Sequence, residues 1–170
     1  MKGAGGLHLV LDLGQIYNGP YCGLLLSFMG ARVLKIEAPE GDVVRRRKRD
    51  VEPYPLVMLN SNKESVVLDL KHPDGKALFL RLVRQADVLV ENFAAGVMDR
   101  LGLGWDVLHK ENPRLVYGSG TGFRTEKRGG PRKNQSASMK KICHSADFGR
   151  APALLMLLAA SGRRDPESHP

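Results

Sequence analysis

Leu7-His8-Leu9-Val10-Leu11-Asp12-Leu13, a loop from Gly14 to Pro20, an apolar segment through Leu24, Leu25 and Phe28 to Gly30, and then Val33-Leu34-Lys35-Ile36 together decide the architecture of this chain. The first run is nearly all apolar and of strand length, as expected for a strand covered on both faces. Pro20 suits the first turn of a helix, where its missing N–H costs nothing. Gly30 is a natural stop, because glycine tolerates the left-handed backbone that ends many helices. Pro39-Glu40-Gly41-Asp42 closes the second strand. A strand, a helix and a strand in about thirty residues form a βαβ unit, for which a right-handed crossover is expected.

The cycle repeats downstream. Ser65-Val66-Val67-Leu68-Asp69-Leu70 reads as a strand, and Pro73 opens a helix. In that helix the Leu78/Leu82 and Phe79/Val83 pairs fall four residues apart and predict one apolar stripe. Asp87-Val88-Leu89-Val90-Glu91 is a further strand. Val97, Met98 and Leu101 share a helical face, and a turn through Trp105 and Leu108 leads to Leu115-Val116-Tyr117. Alternating strands and helices with short connections predict an α/β fold, a doubly wound, Rossmann-like open sheet. Ligands bind such sheets at the carboxyl ends of the strands. Those ends are the loops 15–18, 38–42, 92–94 and 118–123.

The chain has 170 residues, 42% of them hydrophobic, so it can bury a core. Its net charge of +8 is unevenly spread. Residues 1–123 hold 16 basic and 14 acidic side chains, whereas residues 124–170 hold 10 and 4. The body is nearly neutral, which argues against a nucleic-acid-binding surface on the folded part. Residues 124–170 are expected to form an irregular or disordered basic tail, with one short apolar helix over Ala151 to Ala160. Cys22 and Cys143 have no metal or disulfide spacing, and Cys22 reads as a small buried hydrophobe. Neither a secretory leader nor a membrane span is discernible, so a soluble cytoplasmic protein, or one of an organelle matrix, is expected.

Few motifs carry chemistry alone. Gly3-Ala4-Gly5-Gly6 precedes a strand, the wrong side for a dinucleotide fingerprint. Gly118-Ser119-Gly120-Thr121-Gly122 follows one, but lacks the Gly-Lys-Ser/Thr of a phosphate loop. Arg45-Arg46-Arg47-Lys48-Arg49 reads mainly as a solvated loop, with Arg45 singled out because it follows the Gly41-Asp42 turn at a strand end. Arg100, one turn after Gly96, is within reach of a phosphate bound there. The five histidines show no metal spacing, and Trp105 and Tyr117 read as core. Residues alone therefore predict an α/β domain for a phosphate-bearing ligand.

The order of several blocks says more. Gly19-Pro20 and then Gly30-Ala31-x-Val33-x-Lys35-Ile36-Glu37-x-Pro39-x-Gly41-Asp42 resemble the opening of the family III CoA-transferases. That family includes formyl-CoA transferase, carnitine CoA-transferase and α-methylacyl-CoA racemase. Asn60-Ser61-Asn62-Lys63, Leu68-Asp69-Leu70-Lys71, Ala86 to Phe93, Leu101-Gly102-Leu103-Gly104 and Asn112-Pro113-Arg114-Leu115 continue the resemblance in order. It covers residues 7–123, which are expected to form an incomplete CoA-binding domain, the N-terminal part of the family's fold.

The resemblance implies coenzyme A or acyl-CoA as substrate, a carboxylic acid as partner, and no prosthetic group or metal. By similarity Ile16 and Tyr17 contact CoA from the first loop, and Leu68, Asp69, Leu70 and Lys71 line the adenosine region. Asn92, Phe93 and Ala94 follow, with Arg100 near a phosphate and Thr121, Gly122 and Phe123 near the pantetheine arm. Some members carry a basic residue where Ala38 stands; here Arg45 is the candidate replacement. Family transferases use an aspartate as covalent nucleophile against the thioester, and the racemase branch uses a His and Asp pair as base and acid. Either set follows the glycine loop by a little over a dozen residues. Here that place reads Asn134-Gln135-Ser136-Ala137-Ser138, without a carboxylate. The expectation is a truncated transferase chain with no assigned catalytic residue. Alternatives are a fragment of a racemase-type enzyme and a CoA-binding module without turnover. Full-length members form homodimers, with the sheet completed by later segments. Uncovered apolar helix faces are therefore expected in this chain.

Overall fold

Val10 and Leu11 are both wholly buried although they point to opposite faces of the same strand. That is the mark of a sheet covered on both sides, and it accounts for the unbroken apolar run that opens the chain. The computed structural model describes residues 8–46, 54–121 and 138–142. In chain order they form β1 (Leu9–Asp12), α1 (Asn18–Phe28), β2 (Arg32–Glu37), α2 (Val43–Arg46), α3 (Tyr54–Asn60) and β3 (Glu64–Val67). These are followed by α4 (Pro73–Val83), β4 (Val88–Glu91), α5 (Val97–Arg100), α6 (Trp105–Glu111), β5 (Val116–Thr121) and β6 (Ser138–Ile142).

The sheet order is β3-β2-β1-β4-β5-β6. Strands β1 to β5 are parallel, and β6 runs antiparallel to β5. The chain winds outward from β1 to β3, then returns across β1 to build β4 and β5 on the other side. The expected doubly wound α/β sheet is therefore present, with its switch point between β1 and β4. On one face Leu11, Leu34 and Leu89 pack with Phe79 and Val83 of α4. On the other, Val10, Val33 and Val90 pack with Leu26 of α1.

Several local expectations shift. The strand expected over 65–70 ends at Val67, because the Asp69 carboxylate accepts the Lys71 N–H at 2.8 Å and its carbonyl accepts that of His72 at 3.1 Å. This Asx turn feeds α4, whose N-cap His72 accepts from Asp74 N–H. The stripe on α4 is narrower than predicted, since Phe79 and Val83 are buried but Leu78 is 46% exposed. The segment Gly118–Thr121, read as a loop, is strand, because β4 pairs with it on one side and β6 on the other. Ser138–Ile142 lies in the stretch expected to be irregular and instead supplies that antiparallel edge. The short apolar helix expected over 151–160 lies outside the described residues. Helices α2 and α3 were not anticipated. As expected, large apolar side chains stay exposed on helix faces: Tyr21 and Phe28 of α1 and Tyr54 and Val57 of α3 are each more than half exposed. Among the described residues no helix is long and apolar enough to cross a membrane.

Candidate functional site at the carboxyl edge of the sheet

Parallel pairing puts the carboxyl ends of β1 to β5 along a single edge. At about 4.8 Å per strand, the edge from β3 to β5 runs for roughly 19 Å. Beneath it lies a group of buried charges that the apolar pattern of the strands does not announce. Asp12, Lys35, Glu37, Asp42 and Glu91 are all less than a tenth exposed. Buried charges need ion-pair or hydrogen-bond partners: Asp12, Lys35, Glu37 and Asp42 are ion-paired, and Glu91 accepts two hydrogen bonds.

Lys63, at the approach to β3, sends its ammonium under α1. It donates to Asp12 Oδ2 at 2.7 Å, to the Pro20 carbonyl at 2.7 Å and to Asn60 Oδ1 at 3.1 Å. Both side chains of the ion pair are essentially inaccessible. Burial lowers the Lys63 pKa; the charge and hydrogen bond of Asp12 oppose this without cancelling it. Helix α1 can cross the pair only because residue 23 is glycine: a Cβ there would lie 2.5 Å from Asp12 Oδ2 and 3.1 Å from Lys63 Nζ. Cys22, beside the same pair, has its thiol pushed up to about 11 by burial and then by the Asp12 charge.

A second group sits at the end of β2. Glu37 accepts from Arg45 at 3.3 and 3.4 Å, from Asp42 N–H at 3.1 Å and from Ser65 Oγ at 3.3 Å. Burial alone would raise the Glu37 carboxyl. The Arg45 and Asp42 hydrogen bonds, with the charges of Arg45 and Lys35, outweigh burial and hold it below the ordinary range. Asp42 faces Lys35 at 3.5 Å and caps the start of α2 through Val44 N–H at 2.8 Å.

These side chains converge on the loop between β1 and α1. The Gly14 N–H donates to Asp12 Oδ1 at 2.7 Å, and its carbonyl accepts from the Lys35 ammonium. The Gln15 N–H donates to Asn92 Oδ1 at 2.7 Å, and its carbonyl accepts from Asn92 Nδ2 at 2.8 Å. Residues 14 and 15 thus have their N–H and C=O groups all taken up by side chains, and the 14–15 peptide is held at both ends, by Lys35 and by Asn92. Gly19 closes the loop on itself: a Cβ there would come within 2.5 Å of Gly14 Cα and 3.2 Å of Asn92 Oδ1. The next residue, Ile16, has φ of +65°, a left-handed conformation that a β-branched side chain rarely adopts. Ile16 and Tyr17 are 37% and 54% exposed. At β4, Glu91 accepts from Phe93 N–H at 2.6 Å and from the Tyr117 hydroxyl at 2.9 Å. Burial and then the Glu91 charge push the Tyr117 hydroxyl far above its ordinary range, so it stays a donor.

The residues expected to form a site are spread along this edge. Ile16 and Tyr17 follow β1, and Asn92, Phe93 and Ala94 follow β4. Asn92 joins the two loops across the switch point. Leu68 and Leu70 are half-buried, while Asp69 and Lys71 are exposed beyond β3. Arg45 lies in α2 against Glu37. Arg100 ends α5 and is exposed, with its guanidinium close to Gly96. Thr121 ends β5, and Gly122 and Phe123 lie outside the described residues. Trp105 and Tyr117 stack at 5.9 Å between ring centroids and belong to the core, as read. Sequence reasoning missed Asp12, Lys35 and Lys63. A lysine inside a strand covered on both faces was the available signal for Lys35. Among the described residues no group of His, Cys, Asp or Glu is placed to hold a metal ion.

Comparison with known proteins gives a consistent picture. The profile of CoA-transferase family III matches residues 8–146. A formyl-CoA:oxalate CoA-transferase of Streptomyces coelicolor is 44% identical over 117 residues, 67% of this chain and 28% of that protein. An acetyl-CoA:oxalate CoA-transferase of Acetobacter aceti is 48% identical over 118 residues, 68% of this chain and 30% of that one. The chain therefore spans less than a third of the length of these curated relatives. A CaiB/BaiF family protein from Brucella suis superposes with a TM-score of 0.65 at 38% identity, covering 77% of this chain and 35% of its own. A hypothetical protein from Mycobacterium tuberculosis does so with the same score and identity over 76% of this chain.

Proposed function

The chain belongs to CoA-transferase family III, and from that premise we propose that its strand-end edge holds the CoA moiety of an acyl-CoA while CoA passes between that thioester and a carboxylic acid. One observation carries this reading. The positions that the family resemblance assigns to CoA fall, among the described residues, on the carboxyl end of a strand (Thr121), on the strand-end loops or on the short helices that directly follow them. An edge of roughly 19 Å suits an elongated ligand rather than a compact one. Leu68 to Lys71 hold the adenosine end, with Lys71 and Arg100 supplying positive charge for phosphates. Arg45 is the weaker phosphate partner, because Glu37 already takes part of its charge. Ile16, Tyr17 and Asn92 to Ala94 line the middle, and Thr121, Gly122 and Phe123 meet the pantetheine arm.

The thioester chemistry needs a carboxylate that attacks the acyl carbon and expels CoA thiolate, giving a mixed anhydride. The thiolate then attacks the enzyme carbonyl of that anhydride, releasing the donor acid and leaving an enzyme thioester. The acceptor carboxylate displaces the thiolate to form a second anhydride, whose acyl carbon the thiolate attacks to give the new acyl-CoA and restore the enzyme carboxylate. Asn134 to Ser138 offer none at the spacing expected for it. We therefore propose this chain as the CoA-holding part of a transferase, without a nucleophile of its own. The same observation favours, as a second reading, a CoA-binding module without turnover. Titration calorimetry of the full chain with CoA tests the binding, and exchange of labelled CoA into acyl-CoA tests the chemistry. Heat of binding without exchange is the expected result. Absence of heat at millimolar CoA would sink the proposal, and exchange would overturn the missing nucleophile.

A further inference from the structure

Asn92 is among the residues that resemblance assigns to CoA, yet both ends of its carboxamide are occupied by the protein. Oδ1 takes the Gln15 N–H at 2.7 Å and Nδ2 gives to the Gln15 carbonyl at 2.8 Å. Paired in this way with the N–H and the C=O of one residue, the primary amide has committed one of its two donors and one of its two acceptor sites to the loop, and its orientation is fixed. One residue earlier, Asp12 accepts from the Gly14 N–H and Lys35 donates to the Gly14 carbonyl. One residue later, Ile16 sits at φ +65°. A left-handed β-branched residue is unfavourable and persists only where its surroundings over-determine it. The four hydrogen bonds on residues 14 and 15 are that over-determination.

We propose that Asn92 is a positioning residue: through the Gln15 peptide it locks the β1–α1 loop in the conformation that presents Ile16 and Tyr17 to the ligand. It does so without touching the ligand through its own side chain. The inference rests on the CoA-binding reading above and deepens it. The lock spans the switch point, because Asn92 begins the loop after β4 and Gln15 lies in the loop after β1. Every partner in the lock belongs to the chain itself, so the conformational cost of ordering the loop is assigned to folding rather than to binding.

The test uses the full chain and its Asn92→Ala and Asn92→Asp variants. Asn92→Asp keeps the acceptor for Gln15 N–H but turns a second oxygen toward the Gln15 carbonyl. Amide hydrogen exchange without ligand should quicken at Gln15, Ile16 and Tyr17 in both variants, by about tenfold, as expected for loss of one or two hydrogen bonds. Exchange at Val10, Leu11 and Val90 should not change. In calorimetry CoA affinity should fall by about tenfold in both variants, with a melting temperature within about 3 °C of the parent. Unchanged exchange at 15–17 with weakened CoA binding would mean direct contact and overturn the proposal. Faster exchange with unaltered affinity would overturn it too. If the parent chain itself binds no CoA, the functional reading fails, and the exchange data alone still decide whether the lock exists.

Discussion

Replacing Asp12 by Asn removes one charge from the buried pair while keeping shape and an acceptor for the Gly14 N–H. Lys63 is then left with the Pro20 carbonyl and Asn60 but no anion, in a site where its side chain is 1% exposed. Breaking a buried pair from one side costs about 3–5 kcal/mol. The retained acceptors point to the lower end. A ceiling comes from the alternative in which Lys63 gives up its proton. From its ordinary pKa of 10.5, that costs at most about 5 kcal/mol at pH 7 and about 2 kcal/mol at pH 9. The sign follows from the depressed lysine. The unfolded chain binds more protons than the native one between the lowered and ordinary pKa values, so stability rises with pH through that window. Urea denaturation followed by circular dichroism at pH 7 should show a deficit of about 3–5 kcal/mol, shrinking to about 2 kcal/mol at pH 9. The Asp12→Asn/Lys63→Met double variant should recover at least half of the loss at pH 7, since neither charge remains to be desolvated. A deficit below about 1 kcal/mol at pH 7, the range of an exposed pair, would refute the argument. So would a deficit that fails to shrink on raising the pH.

Other outcomes are equally checkable. Glu37 has its carboxyl held down, so it contributes stability that is present above its ordinary value of 4.5 and lost as pH falls through the lowered one. Glu37→Gln should therefore flatten the acid limb of the stability profile below that pH, as measured by denaturation between pH 3 and 6. With its thiol at about 11, Cys22 should be only about one part in a thousand thiolate at pH 8. In a Cys143→Ser background, iodoacetamide should label it slowly in the native chain and rapidly in urea. Arg100→Ala should weaken CoA binding by about tenfold at low salt and reduce its salt dependence, read by calorimetry at two ionic strengths.

The difference between what local sequence revealed and what it hid can be argued from particular residues. β1, β2 and β4 were readable as short apolar runs buried on both faces, α4 by its four-residue apolar period, and α1 as an apolar run bounded by Pro20 and Gly30. Gly30, at φ +89°, ends α1 as read. Helix α3 was missed because its seven residues bury only Leu56 and Leu59, too little for a helical period to stand out. Gly118–Thr121 has the composition of a loop. It becomes strand only because β4 and β6 take up its backbone hydrogen bonds from either side. Leu78 was placed on the buried stripe by spacing, but spacing cannot say how wide the facing surface is.

The chain alone determined a parallel, doubly wound sheet and which loops share its carboxyl edge, because apolar runs and turn chemistry act over a few residues at a time. Tertiary structure alone decided the pairing of Asp12 with Lys63, 51 positions apart, and of Gln15 with Asn92, 77 apart. A charged or amide side chain satisfies its hydrogen bonds with whatever the fold brings near. Its partner has no signature in neighbouring sequence, and it was this long-range matching that fixed the conformation of the loop at the switch point.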